Sequence, residues 1–210
     1  MLLRANKRRG CMVVRTLYGL PFGNHRYYSQ HAGKAWHMRG GGFDAGRETD
    51  IYVSSSAWLN PADAFDAGCS WKHSRHILLR QDLVLDFDSK DLSQVERALG
   101  VLGSFGHTRF LFVNTRSGFH LWDLSFGDTL AMPENVFNRM SHAEKEQRSV
   151  LGRLENEGVR LDYAASEGCK RIFRVPGSWH SGGVQCAARP ITLAGAISQP
   201  DEVREAHARR

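Results

Sequence analysis

The sharpest pattern of apolar and polar positions lies in the segment 82–88, which reads DLVLDFD. In an extended chain, successive side chains point to opposite faces. One face then carries three large apolar side chains, Leu83, Leu85 and Phe87. The other face carries Val84 and two carboxylates, Asp86 and Asp88. The pattern predicts a strand with one fully apolar face and a pair of acids at the end of the other.

The apolar spacing changes after Ser89. Apolar residues then recur at helical intervals, at Leu92, Val95, Leu99 and Leu102, which predicts a helix directly after the strand. The run 109–113 (RFLFV) predicts a short buried strand. A turn at 115–118 follows it, and 119–122 is predicted to be extended again.

The remaining segments also mix strand and helix signals. The segment 50–55 has strand composition, and 171–175 (RIFRV) predicts a last strand that stops at a Pro-Gly turn. Ser141 and Glu144 have the spacing of a capping box, which predicts that a helix opens there and ends near Gly158. The fold class predicted is α+β, with mixed or antiparallel sheets flanked by helices.

Composition sets bounds on this picture. The 210 residues fit a single domain, 1–210, with a flexible basic extension at 1–20 and a polar tail at 195–210. The net charge of +6 favours a polyanionic partner. We expect no membrane partner and an intracellular location, because no run of apolar residues could span a bilayer and the N-terminus lacks a signal-peptide core. The four cysteines lack zinc-ligand spacing, so no zinc is expected.

Asp86 and Asp88 are the first candidates for chemistry. Residues i and i+2 of a strand share a face, so both carboxylates point to one place. Two adjacent anions repel unless a cation lies between them, and hard oxygen ligands suit Mg²⁺ or Mn²⁺. Acidic pairs of this kind also cap helices or meet a lysine at a strand end, and the pair alone leaves both interpretations open.

Two further segments contain groups that can bind phosphate. The segment 114–120 (NTRSGFH) is a glycine-containing turn with an arginine and a histidine, and 171–180 (RIFRVPGSWH) repeats that combination after a strand. Asp162 precedes the second segment. Taken singly, the first segment is more typical of an ordinary hairpin with His120 in the core, and the second of surface arginines with Asp162 capping a turn.

Together, these segments resemble one family, the small catalytic subunit of archaeal and eukaryotic DNA primases and the wider primase-polymerase superfamily. Its first motif is similar to 83–88 (LVLDFD), its second to 114–120, and its third to 174–180 (RVPGSWH). The resemblance covers roughly residues 47 to 191, in the same order and spacing. It implies a primase-polymerase catalytic core, here without the zinc insertion, since no cysteine lies between Asp88 and His120.

The resemblance also implies roles for individual residues. Two divalent metals, Mg²⁺ or Mn²⁺, would be held by three acids: Asp86, Asp88 and Asp162. The nucleotide triphosphate would be bound by a second group: Arg116, Ser117, Gly118, His120, Arg174 and His180. The chain departs from the family at Asn114, Ser117 and Gly182, where serine, a basic residue and lysine are usual.

The function expected from the resemblance is DNA primase or primase-polymerase activity. Such an enzyme transfers nucleotides onto short primers on single-stranded DNA, from NTPs or dNTPs, alongside a large primase subunit or a helicase. Two alternatives stay open: a gap-filling repair polymerase of the end-joining kind, and a non-catalytic nucleic-acid-binding subunit. A nuclear, nucleoid, viral or plasmid setting is compatible with each of them.

Overall fold

The computed structural model describes residues 26–30, 49–58, 77–169 and 171–192. The predicted basic extension at 1–20 and polar tail at 195–210 lie outside these residues. Within them, helices and antiparallel sheets are mixed, which confirms the α+β class. No helix in the described part of the chain is long and apolar enough to cross a membrane.

The first sheet is built around one long strand. This strand, β2 (Ile51–Trp58), pairs along one edge with β1 (Arg26–Gln30). Its other edge pairs end to end with β3 (Leu78–Gln81) and with β7 (Ile172–Arg174). All three pairings are antiparallel, and they bring the third-motif strand alongside the start of β2.

The second sheet contains the other two motifs. It is antiparallel, with the order β4 (Leu83–Phe87), β6 (Phe119–Asp123), β5 (Arg109–Asn114) and β8 (Ala188–Thr192). The register of β4 and β6 sets Asp86 directly opposite His120. The first and second motifs therefore meet across one pair of strands.

Helices cover one side of the second sheet. They are α1 (Leu92–Ser104), α2 (Leu124–Thr129), α3 (Arg139–Asn156) and α4 (Tyr163–Ser166), with a 3₁₀ turn at Val136–Asn138. α1 was predicted from its apolar spacing, and its buried face includes Val95, Leu99 and Leu102.

Most of the core lies in two layers, one on each face of the second sheet, and a third, smaller cluster joins α3 to the first sheet. The predicted apolar face of β4 (Leu83, Leu85 and Phe87) packs with side chains of α1 and α3. The opposite face packs against the first sheet, through a cluster that includes Ile51, Val53, Val84, Trp122 and Phe173. Asp86 shares the face of Val84, so it points into the space between the two sheets.

Two sequence predictions about element boundaries were wrong. Ser141 does not cap α3; the helix begins at Arg139, and the Ser141 hydroxyl donates to the carbonyl of Asn138 within its first turn. The 3₁₀ turn at Val136–Asn138 already leads the chain into the helix, so a later cap has no role.

The segment 171–175 is not the last strand, because β8 follows it. β8 was not predicted because it contains Pro190, and proline is unfavourable in most strands. Proline is tolerated here because β8 lies at the edge of its sheet.

Candidate functional site

Asp86 and Asp88 lie where β4 ends. Asp86 is held from both sides of its backbone: its N–H donates to the Ser166 hydroxyl at 3.0 Å, and its carbonyl accepts the Asp162 N–H at 2.8 Å. Asp88 lies past the end of the strand and is exposed. Short contacts from the α4 region therefore fix the acidic end of β4.

Asp162 is brought to Asp86 through its backbone. Its carboxylate accepts the N–H of Ala165 at 2.8 Å and so caps α4. Its negative charge still acts on Asp86. No group of three or more potential metal-ligating His, Cys, Asp or Glu side chains forms within the described ranges.

Burial, reinforced by the neighbouring negative charges of Asp88 and Asp162, raises the pKa of Asp86 to about 6. Among the described residues, no lysine or arginine forms an ion pair with Asp86 or Asp88. Within that part of the chain, the two carboxylates thus concentrate negative charge that no lysine or arginine ion pair neutralises. Mg²⁺ is commonly held by one or two carboxylates together with substrate phosphates, and this donor set fits that pattern.

His120 stands behind Asp86 on the neighbouring strand. Its Nε2 lies 3.5 Å from Oδ1 of Asp86, and its ring packs edge-on against Phe173 at 5.4 Å between centroids. Burial lowers its pKa to about 3, with Arg174 and Lys90 adding repulsion. The ring is therefore neutral at pH 7 and supplies no positive charge to a triphosphate.

The second-motif turn is pressed against the end of β4. A side chain at Gly118 would overlap the carbonyl of Phe87, so only glycine allows this approach. Lys90 holds the turn from outside, because its ammonium donates to the carbonyl of Gly118 at 2.9 Å and to Asn114 and Thr115. Gly118 therefore acts through its lack of a side chain rather than by lining the site.

Arg174 is held firmly at its position on β7. Its Nη1 donates to Oδ1 of Asp50 at 2.5 Å and its Nη2 to the Tyr52 hydroxyl at 2.9 Å. The guanidinium also lies 4.9 Å from the centre of the Tyr52 ring. Both terminal nitrogens of Arg174 therefore have partners within the protein.

His180 is oriented by its own turn. Its Nδ1 accepts the N–H of Gly182 at 2.8 Å, so the proton of the neutral ring is assigned to Nε2. A side chain at Gly182 would begin 3.1 Å from that Nδ1 and 3.4 Å from Nη1 of Arg116. The position where the family usually has lysine is thus closely bounded by His180 and Arg116.

These groups line one cavity of about 570 Å³, which we call the central cleft. Seven of the predicted site residues line it: Asp86, Asp88, Arg116, Ser117, His120, Arg174 and His180. Gly118 and Asp162 do not line it. We refer to Asp86 and Asp88 as the acidic wall of the cleft, and to Arg116, Arg174 and His180 as its basic wall.

Sequence reasoning missed several residues of the cleft. Tyr52, Thr115, Ile172 and Phe173 also line it, and Asp50 and Lys90 hold its walls without having been singled out. Asp50 is the first residue of a predicted strand, but its partners are more than a hundred residues away along the chain. No local pattern could have identified it.

No protein-family model matches this chain, and no curated protein is significantly similar to it.

Proposed function

We propose that the protein is a template-directed nucleotidyltransferase of the primase or primase-polymerase kind. The observation that carries the proposal is the meeting of the acidic wall and the basic wall in one cleft. A nucleotide triphosphate with bound metal has positive charge at one site and negative charge at another, and this cleft offers the opposite sign to each. Its volume falls within the range typical of small-molecule pockets.

The acidic wall would hold the metal. Asp86 and Asp88 are the expected ligands, and Asp162 is the third acid, adding negative charge next to Asp86. When bound, divalent metal would neutralise phosphate charge and stabilise the oxygens that attack and leave during nucleotidyl transfer. His120, neutral and 3.5 Å from Asp86, would help to orient that carboxylate.

The basic wall would bind the triphosphate. Arg116 and Ser117 reach the cleft from the turn at 115–118, and His180 would donate from Nε2. Arg174 contributes a fixed charge whose terminal nitrogens are shared with Asp50 and Tyr52. These groups bind and orient the reactant, and orientation is a large part of catalysis in phosphoryl transfer.

Single-stranded DNA is the proposed template. The net charge of +6 would favour contacts to its phosphates, while base pairing would select the incoming nucleotide. Either NTPs or dNTPs could serve as substrates. A large primase subunit or a helicase is the expected protein partner.

The test is primer synthesis on unprimed single-stranded DNA, with labelled NTPs and dNTPs in parallel and with Mg²⁺ or Mn²⁺. Metal-dependent dinucleotides from wild type, and none from Asp86→Asn, would support the proposal. Glu134→Gln is the matched control, because Glu134 is an exposed acid outside the cleft.

The other outcomes correspond to the alternative functions. Incorporation only at a gapped duplex with a recessed 5′-phosphate would replace the primase proposal with a repair polymerase. DNA binding without any metal-dependent incorporation would leave a non-catalytic nucleic-acid-binding subunit.

A further inference from the structure

Asp50 has an unusual backbone conformation. Its φ is 55°, the only positive value at a non-glycine residue in the described part of the chain. Aspartate tolerates this left-handed region better than most residues, yet such a conformation persists only where the surroundings enforce it. Contacts to β7 and to the turn after it supply that enforcement.

The backbone and carboxylate of Asp50 bracket His180. The Asp50 N–H donates to the carbonyl of Trp179 at 2.8 Å, just before the histidine. The carboxylate oxygens accept the N–H of Ser181 at 3.3 Å, just after it. Asp50 thus forms hydrogen bonds to the backbone on both sides of His180, whose side chain lines the cleft.

The same carboxylate also holds Arg174, and the two side chains are mostly buried, with 14% and 13% of their surfaces exposed. Burial alone would raise the pKa of Asp50, but hydrogen bonds from Ser181 and Arg174 outweigh it and lower the pKa. The group is therefore an ionised anchor at neutral pH. It joins β7 to the turn after it, and both carry residues of the basic wall.

We propose that Asp50 is a positioning residue, which presents Arg174 and His180 to an anionic phosphate chain without touching that chain itself. The inference rests on the proposed function in taking the ligand to be a triphosphate. The left-handed backbone is what lets one residue direct its N–H to Trp179 and its carboxylate to Ser181. Together with the Tyr52 hydroxyl, Asp50 also limits how freely Arg174 can turn towards a ligand.

Two substitutions separate the carboxylate from the backbone conformation. Asp50→Gly keeps the left-handed backbone without strain and removes the side chain. Asp50→Asn keeps an acceptor oxygen and tolerates the same conformation. We expect Asp50→Gly to weaken the binding of inorganic tripolyphosphate, measured by calorimetry, about tenfold. Without the carboxylate, Arg174 and the turn around His180 are no longer held in place, so binding must also supply the entropy cost of ordering them. Asp50→Asn loses the charge that pairs with Arg174 but keeps the acceptor, so it should weaken binding less, by about threefold.

A second measurement does not depend on the ligand. The ring nitrogens of His180, followed by ¹⁵N NMR, should show one tautomer with the proton on Nε2 in wild type and in Asp50→Asn. Asp50→Gly should show a mixture, because the turn that supplies the Gly182 N–H has lost its anchor. A single unchanged tautomer in folded Asp50→Gly would overturn the positioning role, whatever the protein binds.

The outcomes distinguish this inference from the proposed function. If the wild-type protein does not bind tripolyphosphate, the proposal that the basic wall binds a triphosphate is contradicted. The NMR comparison would then decide the role of Asp50. Wild-type binding with equal affinity in Asp50→Gly would overturn the inference and leave the proposed function intact. Equal weakening in Asp50→Asn and Asp50→Gly would also overturn it, because a retained acceptor would then have had no effect.

Discussion

The acidic and basic walls of the central cleft are built in different ways. Asp86 takes its direction from strand alternation within β4, and Asp88 follows at the end of the same strand. Contacts to the Asp86 backbone from Ser166 and Asp162, distant in the sequence, then fix that strand end. The basic wall has no such local origin, because Asp50 joins Arg174 to the turn around His180 through contacts between distant parts of the chain. The direction of the acidic wall is thus set locally and only its support is tertiary, whereas the basic wall depends on tertiary contacts throughout. Substitutions should therefore disturb the acidic wall when they change the acids themselves, and the basic wall also when they change the residues that hold it, such as Asp50.

The largest effect is expected at the acidic wall. Asp86→Asn keeps the size of the side chain and removes its charge, so nucleotide incorporation should fall at least about a thousandfold, since losing a metal ligand removes several kcal/mol of transition-state stabilisation. Primer extension with Mg²⁺ and with Mn²⁺ measures this, and circular dichroism checks the fold. Near-normal incorporation by the folded variant would remove Asp86 from the metal site.

Gly118→Ala should disturb the contact between the two walls. The added carbon would overlap the carbonyl of Phe87, a backbone atom that cannot rotate away. We expect the free energy of unfolding to fall by about 3 kcal/mol, measured by urea denaturation. Gly152→Ala is the control: nothing lies within 4 Å of its added carbon in α3, and helix propensity should stabilise it by about 0.5–1 kcal/mol. Equal stability of the two variants would contradict the close approach.

A smaller effect is expected from His180→Ala. The ring is assigned as a neutral donor at Nε2, so its loss should raise the apparent KM for nucleotide about threefold to tenfold, the range of a neutral hydrogen bond. Affinity for single-stranded DNA should stay unchanged in a filter-binding assay. His142→Ala, on α3 and outside the cleft, is the matched control. Lost DNA affinity with an unchanged KM would mean that His180 faces the template.

The smallest effect is expected where the chain departs from the family. Gly182→Lys adds a cation to the basic wall beside Arg116, so we expect nucleotide affinity to rise about twofold to fivefold. Gly182→Ala adds only the carbon against the ring of His180 and should bind nucleotide slightly more weakly than wild type. Fluorescence titration compares the two variants, and weaker binding by the lysine variant than by the alanine variant would show that the cleft has no room for the lysine usual in the resembled family.

The sequence is informative where the structure is local. β4, α1 and the placement of Asp86 and Asp88 beside one another follow from spacing over a few residues; both elements are present, and both acids line the cleft. The capping box at Ser141 was wrong because a neighbouring 3₁₀ turn had already started the helix. A local sequence motif can therefore be present without forming the structure it predicts, when neighbouring residues have already started the helix.

The supports of the cleft could not be predicted in the same way. Lys90 follows the acidic pair and has the pattern of a solvated side chain, although its ammonium holds the turn at 115–118. The neutrality of His120 depends on burial beneath Phe173 and on the distant charge of Arg174. The charge state of His120 and the contacts of Lys90 depend on the assembled fold, so they could not be predicted from the sequence.

The joint between β3 and β4 has a consequence for how quickly a ligand can bind. These strands belong to different sheets, yet one fully buried residue, Asp82, separates them. Its carboxylate accepts from Arg80 at 2.7 Å, its carbonyl accepts from Gln81 at 2.7 Å, and its N–H donates to Ser55 at 3.1 Å. A connection bonded at every polar group is poorly suited to act as a hinge. We therefore expect no closing motion of the two sheets about this joint, so that diffusion and the release of water should govern how quickly a ligand binds.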